Sequence, residues 1–338
     1  MKRLVVAGCL LFLILALSGC GQKPVENPPA PDPPSGQPTQ EQPTQEQPAE
    51  PGILNPLTGQ RVQTTAKLIA VMIDNLPQAR PQSGLSKADI VWEIEAEGLV
   101  TRLMALFYGD PPEIVGPVRS ARPYYMALAK EWDAYYAHVG GSNDAASKID
   151  EWKIRSINDL MGHPGYSVDQ TRQRPHSTYL TLAKALENKS PNGIFPNWKF
   201  EAPKAGKPDF GAIKLDYDKQ NKVTYTFSAD KEAYLRQQNG SPMVDRVTGE
   251  QIFVRNVIIQ YARHRNLNNE LKHVEVEVIG EGKAEYFLGG RYLEGSWRKK
   301  DLTAPTEFLD AEGRPVAFAP GNTWIQVVRS PSQVKKNK

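Results

Sequence analysis

The groups best suited to chemistry in this 338-residue chain lie between Asp74 and His176. Asp74-Asn75 closes the apolar run "KLIAVMI", and ligands of open α/β sheets bind outside the carboxyl ends of strands. In "WEIEAEG", strict alternation sends Glu93, Glu95 and Glu97 to one face of a strand. If Glu97-Gly98 makes a two-residue turn, Glu93 lies opposite Arg102 in a cross-strand pair. The same Glu93 and Glu95 could alternatively divide acid and base roles at a glycosidic bond. His176, Asp74, Glu93 and Glu95 are therefore the candidates for proton transfer.

A second set suits anions. "GPVRSAR" places Arg119 and Arg122 just ahead of a predicted helix over 122–133, with Pro123 in its first turn and Ser120 as a possible cap. "RQRPHS" places Arg172 and Arg174 ahead of a second predicted helix, capped by Ser177 or Thr178 and running to about Asn188. Backbone N–H groups at a helix start favour an anion, and the arginine fork matches a carboxylate or phosphate. His138-Val139-Gly140-Gly141-Ser142 adds a strand, a glycine-rich turn and a helix start. Such a turn can approach a ligand closely, while Ser142 also fits an ordinary helix cap and His138 an ordinary strand histidine. The candidate ligand-binding residues are Arg119, Arg122, Arg172, Arg174, His138, Gly140, Gly141 and Ser142. His138, His163 and His176 lack the spacing of metal ligands, no H-E-x-x-H occurs, and neither metal nor cofactor is expected.

These groups must be positioned by a body whose grammar changes near Pro191. Residues 52–200 mix apolar strands (67–73, 89–96, 99–108, 134–139) with three predicted helices, which implies a mixed α/β or α+β domain. Residues 206–330 alternate with period two between turn signals, which implies a smaller, mainly antiparallel β domain, followed by a basic tail over 331–338.

The segment ahead of the body defines a location. Lys2 and Arg3 precede an apolar run that is short for a spanning helix, and Leu17-Ser18-Gly19-Cys20 has the form of a bacterial lipobox. Residues 1–19 are then a signal peptide, and Cys20 carries the lipid, such as palmitate, that holds the chain at the extracytoplasmic face of the cell membrane. Cys9 leaves with the signal, so the mature chain has no disulfide and no catalytic thiol. Residues 20–51 form a tether. Its Gly21–Pro51 stretch has ten prolines, no aromatic residue and the repeat "QPTQEQPTQEQPAE". That composition cannot bury enough apolar surface to fold. The tether carries net charge −4 and the body about +5. So small an excess does not suggest a nucleic-acid partner; a cell-wall polymer or an envelope protein fits better.

The combination "VMIDN", "GLSKADIVWE", "GPVRSAR", "HVGGS", "RPHS", "NVIIQ" and "GNTWIQV" resembles the YerB family of bacterial lipoproteins over about Asn55 to Val328. The resemblance implies an extracytoplasmic lipoprotein with an N-terminal and a C-terminal domain. It supplies no reaction and no catalytic residues. Two readings stay open: a tethered binding or accessory protein, and a cell-envelope hydrolase or transferase using His176, Asp74 or the Glu93/Glu95 pair.

Overall fold

The computed structural model describes residues 51–338 except Leu99, 204–205 and 219–220. The signal segment, Cys20 and the tether up to residue 50 lie outside the described residues.

A run such as Leu68–Ile73, apolar at every position, cannot sit on a sheet with one wet face. All six of its residues are buried, within the strand Thr65–Asp74. That strand belongs to a ten-stranded mixed sheet built from the whole length of the body. Its order is Glu307–Asp310, Arg291–Lys299, Gly280–Leu288, Asn256–Tyr261, Thr323–Val328, Ile90–Glu97, Val100–Gly109, Thr65–Asp74, Tyr135–His138 and Arg155–Asn158. The join between early and late sequence is a parallel pair, Ile90↔Thr323 to Glu93↔Gln326. Residues 51–338 accordingly pack as one compact unit.

Each face of this sheet has its own core. On one, the helix Pro123–Glu131 packs with Trp92, Ile94, Tyr286 and Trp297. On the other, a six-stranded sheet containing Ala212–Asp216, Lys222–Ser228, Ala233–Gln238 and Val334–Asn337 closes over Val91, Ile259 and Trp324. The basic tail thus contributes a strand, paired antiparallel with Ala212–Asp216.

The expected mixed α/β or α+β class for residues 52–200 is corrected by this architecture, which is mostly β. Only three α-helices occur among the described residues: Pro123–Glu131, Asn143–Glu151 and Leu182–Leu186. The third expected helix fails in its first half, where Thr178–Thr181 forms a strand between Ile114–Val115 and Tyr166–Val168. Its "STYLT" sequence is β-branched and aromatic, and long-range pairing overrides the capping signal. The strands Arg155–Asn158 and Tyr166–Val168 were hidden in polar, glycine-rich sequence without alternation.

Candidate functional site

The site forms where two parallel strands diverge. Thr65–Asp74 and Tyr135–His138 pair from Ile69↔Tyr135 to Val71↔Ala137. Beyond that point residues 117–119 are wedged between them: Asp74 N donates to Pro117 O (2.9 Å), Arg119 N to Met72 O (2.9 Å) and Val139 N to Arg119 O (3.1 Å). Val118 N donates in turn to Thr178 O (2.7 Å), which brings the His176–Thr178 segment alongside. Four stretches distant in sequence converge on Asp74 in this way.

Asp74 is buried, and its two carboxylate oxygens are divided between tasks. Oδ1 accepts from Leu76 N at 3.0 Å and fixes the following turn. Oδ2 lies 2.7 Å from His176 Nδ1 and 3.2 Å from Arg119 Nε. Because the carboxylate can only accept, Nδ1 carries the hydrogen of this bond, and Nε2 remains for another partner. The imidazole is thereby oriented by a carboxylate, as a general base or a pH-dependent donor must be. Burial pulls the Arg119 guanidinium below its ordinary pKa, and the Asp74 charge opposes that shift.

Arg172 and Arg174 do not flank a helix start, because a strand follows them. Arg172 is a strut: its Nη1 and Nη2 donate to Ala79 O (2.6 Å) and Pro81 O (2.8 Å), locking the turn after Asp74. Arg174 is exposed and makes no ion pair among the described residues. Arg122 occupies the N-cap position of Pro123–Glu131, and its guanidinium is engaged within the fold. Its Nη2 binds Glu97 Oε2 at 2.7 Å and its Nη1 donates to Ala121 O. Ser120, the expected cap, instead accepts from Arg102 through its carbonyl.

His138 is wholly buried, with Nδ1 2.7 Å from Gly140 O and Nε2 2.8 Å from Ser156 Oγ. Burial lowers its pKa, and both ring nitrogens are engaged. Gly140 adopts φ 60°, a conformation that turns its carbonyl toward both His138 and Ala121 N. Ser142 caps the helix Asn143–Glu151 by accepting from Ala145 N. The Gly140-Gly141-Ser142 turn therefore holds the 117–121 segment in place through Ala121 N and Gly140 O.

The three glutamates are not on one face. A bulge between Glu95 and Glu97 shifts the register, so Glu93 lies opposite Leu103 and Ile94 opposite Arg102. The expected Glu93–Arg102 pair is corrected on this ground: one extra residue moves Glu97 to the Arg102 side. Glu97 is held by Arg102 and Arg122; burial raises its pKa, and the two guanidiniums outweigh that and leave it lowered. Glu93 is fully buried, 2.7 Å from Arg236 Nη2 and bonded to Asn75 and Thr101. Glu95 is buried, 2.6 Å from Arg329 Nε; burial raises its pKa against the pull of that arginine. Glu93 and Glu95 are thus each paired with an arginine, and neither bonds to His176 among the described residues.

Arg236 and Arg329, both from late sequence, were absent from the sequence reading. Arg236 had a legible signal: in "AYLRQQ" it falls on the inward positions with Tyr234 and Gln238, where a cation needs a buried partner. Burial would lower its pKa, but Glu93 and Tyr225 raise it overall. Arg80 was also missed. It sits beside Asn75, and burial pulls its guanidinium down to about 10.

At the opposite end of the sheet, a cleft of about 860 Å³ includes Arg61, Lys87, Asp89 and Arg255 in its lining. Asp89 accepts from Asn55 Nδ2 and Tyr108 N (both 2.6 Å) and from Gly109 N (3.1 Å), and burial pushes its pKa up to about 6. No group of three or more His, Cys, Asp or Glu able to hold a metal occurs among the described residues. No helix among them is long and apolar enough to cross a membrane.

Comparison with known proteins agrees with this architecture. The "Protein of unknown function (DUF3048) N-terminal domain" matches residues 57–194, and the corresponding C-terminal domain matches residues 213–325. The Bacillus subtilis protein "Putative lipoprotein YerB" is 32% identical over 291 residues, covering 81% of this chain and 85% of that protein. The crystal structure of the YerB protein from Bacillus subtilis superposes with a TM-score of 0.76 at 30% identity, covering 85% of this chain and all of that one. The chain belongs to the DUF3048 family of YerB-like proteins.

Proposed function

We propose that this chain is a lipoprotein anchored through Cys20 at the extracytoplasmic face of the membrane, whose body binds an anionic group of a cell-envelope polymer or protein at Asp74, Arg119 and His176. The lipobox-like Leu17–Cys20 and the similarity to a protein named as a lipoprotein support the anchor. One observation carries the ligand reading: Arg119 and His176 meet on a single oxygen of Asp74. Once His176 is protonated, two cations face one carboxylate. A carboxylate or phosphate accepting from His176 Nε2 would neutralise the surplus. Exposed Arg174, two residues away in sequence, adds long-range attraction.

The test is calorimetric. The full chain in neutral detergent is titrated with peptidoglycan fragments and anionic wall-polymer fragments at two salt concentrations, beside Arg119→Ala and His176→Ala. Both variants should bind at least tenfold more weakly, and the wild type should weaken with salt. Equal binding by all three proteins would make the cluster structural.

A second reading, hydrolysis or group transfer, is favoured by one specific observation: a carboxylate-oriented imidazole with Nε2 left over. No serine or threonine hydroxyl bonds to His176 among the described residues, so water is the attacking group in this reading. Turnover of the same fragments, lost in His176→Gln, is its signature.

A further inference from the structure

The outer face of the six-stranded sheet carries a second cationic feature, apart from Asp74. Alternation sends Ile213, Leu215, Val223 and Tyr225 into the core and leaves Lys214, Asp216, Lys222 and Thr224 outward. The register then does something unfavourable. Lys214 lies directly opposite Lys335, while Asp216 lies opposite Lys222. Directly opposed side chains have Cβ atoms about 5 Å apart, and like charges so placed are destabilising. The one carboxylate in the patch, Asp216, is 3.4 Å from Lys335. Lys214 and Lys222 make no ion pair among the described residues, so the patch keeps a net charge of +2.

The patch is concave. It floors a cleft of about 750 Å³, rimmed by Pro77 and by the Asn239-Gly240 turn. That turn has φ of 52° and 80°, the two-residue hairpin geometry, and Lys222 N and O both bond to Asn239. The rim is therefore fixed by Asn239, through its backbone N–H and its side-chain Oδ1.

The type of cation is informative. Most ion-paired carboxylates among the described residues are met by arginine, Asp74, Glu93, Glu95, Glu97, Asp133 and Asp169 among them. The cleft has lysines only. An ammonium lacks the planar fork that grips a carboxylate or phosphate bidentately, and as a point charge its three N–H groups donate to phosphate oxygens from several directions. Pro77 follows Asp74 by three residues, a chain path of at most about 11 Å. A ligand that repeats its charge along a chain can therefore enter this cleft and continue past the turn.

We infer that the Lys214/Lys222/Lys335 cleft is a binding site for a phosphodiester polyanion, with one backbone phosphate set between Lys214 and Lys335. This does not depend on ligand binding at Asp74.

The full chain, reconstituted in neutral phosphatidylcholine vesicles, is titrated with linear inorganic polyphosphate and with poly-L-glutamate of matched charge. The variant Lys214→Gln/Lys222→Gln/Lys335→Gln is compared with Lys184→Gln/Lys283→Gln/Lys300→Gln, which removes the same charge from exposed positions elsewhere. The cleft variant should bind polyphosphate at least tenfold more weakly, with the slope of log affinity against log salt reduced by about 2. The control variant should stay within about twofold of wild type. Equal loss in the control variant would reduce the effect to net charge and overturn the site. Poly-L-glutamate binding as tightly as polyphosphate would overturn the phosphate assignment. If phosphatidylglycerol added to the vesicles abolishes polyphosphate binding to the wild type, lipid headgroups occupy the cleft and the polymer is overturned.

Discussion

Two sets of carboxylates in this molecule meet opposite fates. Asp89, Glu93, Glu95 and Glu97 all belong to one strand and its lead-in, and each is consumed internally: by Asn55 and backbone amides, by Arg236, by Arg329, and by Arg102 with Arg122. Asp74 ends the strand two places away in the same sheet and instead shares itself between Arg119 and a histidine that keeps one nitrogen spare. A carboxylate inside a sheet must be neutralised by whatever element covers it. One at the end of a strand can orient a group that faces outward.

Four measurements sharpen or break this contrast. The largest effect falls on Glu93–Arg236, where both side chains are fully buried. Arg236→Ala leaves an unpaired buried charge and should cost about 3–5 kcal/mol in urea unfolding, whereas Glu93→Leu with Arg236→Met should recover most of it. An Arg236→Ala cost below about 1 kcal/mol would show that the carboxylate is not internally committed.

Asp89 comes next. Its folded pKa, about 6, lies above the unfolded value near 4, so the proton is held more tightly when folded. Its contribution is full below pH 4 and lost as pH rises through 6. The stability gap between wild type and Asp89→Ala should therefore be about 2 kcal/mol wider at pH 4.5 than at pH 7.5. A gap that widens with pH instead would reverse the assignment. Ser142→Ala should cost about 1 kcal/mol through loss of the helix cap, with no change in ligand affinity. His176→Ala removes one partner of the buried Asp74 carboxylate and should cost about 1 kcal/mol while weakening binding at Asp74 at least tenfold. A loss comparable to Arg236→Ala would place His176 among the structural groups.

Legibility in the sequence followed the same division. Strands with one dominant pattern were readable: Thr65–Asp74 by its unbroken apolar run, Arg291–Lys299 by its alternation and flanking glycines. Asp74 and His176 stood out as isolated polar groups at element ends, but nothing local says that residues 102 positions apart touch. The Glu93–Glu97 alternation misled because a bulge carries no sequence mark strong enough to override strict period two. "STYLT" misled because a serine that could cap a helix looks the same whether a helix or a strand follows. The arginines of 172–174 then inherited that error, since their reading as an anion cradle depended on the helix.

The strand Thr323–Val328 lies between Asn256–Tyr261 and Ile90–Glu97 at the middle of the large sheet. It is synthesised after both neighbours, so the edge of Ile90–Glu97 stays unpaired until Thr323–Val328 has been made. Truncation anywhere before residue 323 opens the sheet at its centre rather than trimming its margin. The two segments matched separately by the family are thus bound to a common fate: neither can complete its own sheet without the other, and folding must wait for Thr323–Val328.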